Sequence, residues 1–110
     1  MAVGWLVRDG EVLASLEVAT NPRRRARGLL GRDGIDGALL IPKTRSVHSI
    51  GMRFDLDVAF LDGDQRVVKV VRLNRGRVTL PVWSARSVVE AEAGSFREWG
   101  LRCGDELEVR

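Results

Sequence analysis

Short runs of apolar residues, spaced by two and separated by turn-forming pairs, recur along the chain and predict hairpin-linked strands more often than helices. Residues 3–8 and 11–18 flank Asp9-Gly10. An Asp-Gly pair supplies the positive φ angles of a tight type I′ turn, so the chain opens on an antiparallel hairpin. Residues 54–61 alternate, with Phe54, Leu56, Val58 and Phe60 on one face and Asp55, Asp57 and Ala59 on the other. Asp62-Gly63 then turns into a partner strand at 66–73, which makes residues 54–73 a central ribbon. Shorter extended pieces are expected at 38–41 before Pro42, at 78–82, at 87–92, and at 106–109 after the Gly104-Asp105 turn.

One segment reads as the main helix. Proline is tolerated in a first helical turn because its missing N–H has no helical partner there, so Pro22 can begin a helix capped by Thr20 or Asn21. Gly31 is placed to end it, giving a helix over 22–30 with Ala26, Leu29 and Leu30 inward and the arginines outward. Residues 94–99 suffice for one short helical turn. The balance predicts an α+β fold: a small, mainly antiparallel, partly closed sheet or barrel with one main helix.

Composition narrows the class. At 110 residues, with 45% hydrophobic and 30% charged, the chain is a single domain, 1–110, of ordinary globular make-up. Aromatics are scarce, three Trp, three Phe and no Tyr, so the core must rest on Val, Leu and Ile. No repeat, linker or low-complexity stretch interrupts it. Cys103 stands alone, which rules out an internal disulfide, suits a reducing compartment and reads as a small buried hydrophobe. The opening MAVGWLV is too short to span a bilayer and lacks a basic start and a cleavage site, so a cytoplasmic location and no membrane partner are expected.

Charge adds a possible partner. The net charge is +3, and all but Lys43 and Lys69 of the 18 basic residues are arginines. Arg23, Arg24, Arg25, Arg27 and Arg32 form one cluster; Arg66, Lys69, Arg72, Arg75, Arg77 and Arg86 form a second with no acidic residue between them. Guanidinium forks suit phosphate or carboxylate, which points to an acidic small molecule or protein partner; the plain alternative is a solvated cationic face.

Candidate chemistry concentrates in TRSVHSIGMRFDLDVAFLD, residues 44–62. His48, the chain's sole histidine, is the natural general base or ligand near neutral pH, and Asp55 or Asp57 could orient it. Carboxylates two apart on a strand share a face, roughly 6 to 7 Å from each other. An Asp beside Arg45, Arg53 or Arg72 is more often an ion pair closing the sheet surface. His48, Met52 and Cys103 are a soft donor set on paper, without a motif spacing to bring them together. No nucleophile triad, zinc cluster or phosphate loop is present, and no cofactor or metal is expected; Gly28, Gly31, Gly34 and Gly37 follow a helix rather than open one.

Three groups of residues carry a family resemblance: Arg27-Gly28-Leu29-Leu30; His48, Met52, Phe54 and Leu56-Asp57-Val58-x-Phe60-Leu61-Asp62; and Val89-Glu90-x-x-x-Gly94 with Gly100-Leu101-x-x-Gly104-Asp105. Over roughly 13–109 the chain resembles the domain of unknown function 192 family, small bacterial and archaeal domains. The resemblance implies a single α+β domain of partly closed antiparallel sheet, and no activity, since the family is functionally uncharacterised. Asp57 matches the aspartate recurring in that pattern, whereas Asp55 stands where proline is common. Many members carry secretion signals that this chain's opening lacks.

These readings lead to a non-catalytic binding module with a polar pocket around His48, Arg53, Asp57 and Arg72 beside a basic face. The alternatives are a hydrolase or metal-assisted enzyme using His48 and Asp57, and a nucleic-acid-binding protein, the latter short of aromatics for base stacking.

Overall fold

In the computed structural model, which describes residues 2–110, the first hairpin forms as its turn demands. Asp9 and Gly10 adopt φ of 51° and 79° between β1 (Ala2–Arg8) and β2 (Glu11–Val18). Asn21 caps α1 (Pro22–Arg27), its side chain accepting from the Arg24 N–H at 2.9 Å. The helix stops at Gly28, whose φ of 54° suits a residue without Cβ.

The expectation of one main helix over 22–30 is corrected here. α1 buries no residue, and Leu29, fully buried, packs from beyond its end. Its arginine run offers no apolar stripe for a longer helix to bury. α2 (Ser95–Trp99) is shorter still, with Phe96 its buried residue.

The remaining strands are β3 (Ala38–Pro42), β4 (Leu56–Leu61), β5 (Val67–Leu73), β6 (Ser87–Glu92) and β7 (Glu108–Val109). They form one seven-stranded sheet in the order β5-β4-β6-β3-β2-β1-β7. All adjacent pairs are antiparallel except β2 with β3, so the sheet is mixed. The segment leading into β7 also reaches the opposite edge: Asp105 O accepts from Val67 N at 2.8 Å, and Leu107 N donates to Gln65 O at 3.0 Å. One short segment thus touches both edges and curls the sheet into a half-barrel.

Strand alternation divides the interior in two. Leu39 and Ile41 of β3, Leu56, Val58 and Phe60 of β4, and Val88 of β6 meet Leu29, Val47 and Met52 on one face. Ala38, Ala59, Leu61, Val89 and Ala91 meet Phe96, Leu101 and Leu107 on the other. β4 is therefore buried on both faces, where sequence alternation suggested a half-exposed strand. Its polar-face residue Asp57 is turned into the second core.

Two further expectations shift. Residues 78–82 form no regular strand; they run antiparallel to 45–49, with Thr79 N donating to Val47 O and Val82 N to Arg45 O, both 2.9 Å, and a bridge between His48 and Val78. Cys103 is exposed, in the turn before Gly104, rather than buried.

Candidate functional site

β6 places a carboxylate where the fold otherwise puts hydrophobes. Its residues alternate between the two cores, and the side that carries Val88 also carries Glu90, opposite Leu39 of β3 and Val58 of β4. Glu90 is 3% exposed. Among the described residues no group donates a hydrogen bond to it, and burial pushes its carboxyl up from the usual 4.5 to about 7. Neither oxygen is sealed off as a fully buried orphan, so what solvent contact they keep is through an opening. An uncompensated acid in a hydrophobic core is costly, and such groups concentrate at functional sites.

That opening is a cleft of about 270 Å³. Apolar walls come from Leu29, Leu30, Ile41, Val47 and Met52, and its rim from Arg25, Arg27, Thr44, Ser46 and His48. Gly28 admits it: a Cβ there would stand 3.2 Å from Glu90 Oε1 and 3.7 Å from Ile41 Cδ1. A side chain at position 28 would therefore lie over the carboxylate.

The rim is ordered by backbone and side-chain bonds. Arg27 Nε donates to Leu30 O at 3.2 Å, folding the guanidinium back over the turn after α1. Arg25 is half-buried and forms no ion pair among the described residues. Ser49 anchors the His48 loop, its hydroxyl donating to Asn74 O at 2.5 Å and accepting from Arg77 N at 3.0 Å. His48 is exposed, and its Nδ1 accepts from Ile50 N at 3.2 Å, leaving Nε2 as the nitrogen open to a ligand.

The four residues singled out from sequence do not converge. Asp57 and Arg72 meet across β4 and β5, with Arg72 Nε donating to Oδ1 at 2.8 Å. The other Asp57 oxygen accepts from Gly94 N at 2.9 Å and Phe96 N at 3.1 Å, fixing the entry to α2. Both oxygens are thus engaged on the sheet face opposite Glu90, and Asp57 has no bond to His48. Arg53 is exposed and paired with Asp33 at 2.8 Å. Of the four, His48 alone lines the cleft.

Asp55 and Asp57 do not act as a pair. Asp55 precedes β4 and holds the turn after β5 by accepting from Arg75 N at 2.8 Å. The basic stretch is also partly neutralised, because Arg66 pairs with Glu106, Arg72 with Asp57 and Arg75 with Asp55. Lys69, Arg77 and Arg86 form no ion pair among the described residues. Within those residues no three His, Cys, Asp or Glu side chains group as metal ligands, and no helix is long and apolar enough to cross a membrane.

Glu90 escaped sequence reasoning as a site residue, although two signals were present. Glu90 falls on the same face of the strand at 87–92 as Val88, and Gly28 and Glu90 both belong to the residues that carry the family resemblance. Arg27, Leu29, Leu30, His48 and Met52, from the same groups, line the same cleft.

Fold and cleft define a class: a small curled-sheet domain with the buried acid Glu90 beneath a short arginine-bearing helix. The chain belongs to the domain of unknown function 192 family (DUF192, "Uncharacterized ACR"), whose profile matches residues 5–109. It is 32% identical to a UPF0127 protein of Thermococcus gammatolerans over 96 residues, covering 82% of this chain but 63% of that protein. It is 32% identical to another of Pyrococcus abyssi over 98 residues, covering 84% of each. Two crystal structures share the fold: a candidate transcription regulator from Sinorhizobium meliloti, with TM-score 0.78, 23% identity and coverage of 97% of this chain and 92% of that one; and a protein of unknown function from Novosphingobium aromaticivorans, with TM-score 0.77, 20% identity and coverage of 96% and 82%.

Proposed function

We propose that the protein is a non-catalytic binding module whose ligand occupies the cleft between α1, the His48 loop and β6. The ligand is a small acidic molecule, its anionic group held at the rim by Arg25, Arg27 and His48. The observation that carries this reading is Glu90, a buried carboxylate without a partner among the described residues, at the floor of an apolar-walled opening. A carboxylate kept uncompensated in the free protein is one that a hydrogen-bond donor on the same ligand can satisfy.

The lack of a catalytic pairing supports binding over hydrolysis. A general base needs an orienting partner and a nucleophile in reach, whereas His48 bonds a backbone N–H and Asp57 is committed to Arg72 and α2. Nucleic-acid binding draws less support, since much of the basic stretch is already ion-paired. Thermal-shift screening against small carboxylates and phosphates is the test. Stabilisation that follows ligand concentration and disappears in Arg25→Gln is expected; no stabilisation by any compound would overturn the reading.

A further inference from the structure

The cleft has a charge order that its rim alone does not reveal. The floor carboxylate of Glu90 lies among Leu39, Val58 and Ile41 with no cation against it, and burial alone displaces its titration. Arg25, Arg27 and His48 border the same opening, yet none donates a hydrogen bond to Glu90 or offsets the cost of burying it. Once Glu90 is ionised, above about pH 7, a negative floor and a positive rim therefore coexist without neutralising each other, separated by the apolar walls of Leu29, Val47 and Met52. The chemistry that complements such an opening carries opposite charges at its two ends and a short apolar stem between.

Resting on the reading of the cleft as a binding site, we propose that its ligand is zwitterionic, with an ammonium group paired to Glu90 and a carboxylate held at the Arg25 side of the rim. The ammonium supplies the donors that the floor lacks. Gly28 lets the ligand pass, since any side chain there would approach Glu90 Oε1. The stem replaces water against Leu29, Leu30 and Met52. Pairing needs the ionised carboxylate, so a bound ammonium displaces a proton from Glu90 in acid solution. The ionisable groups facing the opening are Glu90 from β6, Arg25 and Arg27 from α1, and His48 from its loop, and the two arginines keep their charge throughout the range concerned.

Isothermal titration of the full chain at pH 8 with glycine, 4-aminobutanoate, 6-aminohexanoate and lysine, against butanoate and butylamine, tests this. At least one amino acid is expected to bind ten-fold or more tightly than either monofunctional compound, and about ten-fold more weakly at pH 6, where Glu90 is mostly protonated. Glu90→Gln should abolish the preference for the amine while leaving weak carboxylate binding; Arg25→Gln should do the reverse. Butanoate binding as tightly as the amino acids overturns the zwitterion and leaves the cleft as an anion site. No binding by any compound overturns both.

Discussion

Substituting Glu90 with glutamine keeps the shape of the side chain and removes its charge, so the difference in stability between the two proteins isolates one titration. Glu90 carries a carboxyl raised to about 7 in the folded state against 4.5 when unfolded. Between those values the folded chain holds a proton that the unfolded chain has lost, so protonation favours folding. This contribution is full below pH 4.5 and is lost as pH rises through about 7. The shift corresponds to roughly 3 kcal/mol. Urea unfolding of both proteins at pH steps from 4 to 9 measures it, because groups common to both cancel. Stabilities should nearly coincide at pH 4, and Glu90→Gln should gain steadily until it leads by roughly 3 kcal/mol above pH 8. A difference independent of pH would refute the claim that an uncompensated carboxylate lies in this core.

Four further outcomes follow from other residues of the structure. Asp57→Ala leaves the part-buried N–H of Gly94 and the buried N–H of Phe96 without their acceptor, and should cost about 3 kcal/mol in urea unfolding. Arg72→Ala, on the exposed side of the same ion pair, should cost less than about 1 kcal/mol; equal losses would show that the ion pair, not the anchoring of α2, is what Asp57 supplies. Gly28→Ala strains a positive φ and narrows the way to Glu90, with an expected loss of about 1 to 2 kcal/mol and of ligand-induced stabilisation; unchanged binding would place the ligand elsewhere. Cys103 should react with a thiol reagent in the native state at the rate of an exposed cysteine, and protection until unfolding would contradict its placement.

Local chemistry made much of the fold legible. The Asp9-Gly10 turn, the Asn21 cap and the strands β1 to β6 all follow from signals within a few residues. The helix end was not legible because Gly28 and Gly31 both fit a terminus, and packing of Leu29 beyond the helix decided between them. The second burial of β4 arises from α2 and the segment after it, which are distant in sequence, so alternation alone left Asp57 looking like a surface group. The site suffered from the same blindness. His48 attracted attention by being the sole histidine, whereas Glu90 looked like one carboxylate among many until β3 and β4 closed around it.

If Glu90 marks a ligand site, binding must be located at the cleft above it. Backbone amide NMR of the full chain, recorded while 6-aminohexanoate is added at pH 8, maps the residues that respond. Concentration-dependent shifts are expected at residues 25–30, 44–52 and 88–91. Shifts confined to the basic stretch at 66–86, or to the neighbourhood of Asp57 and α2, would contradict that location.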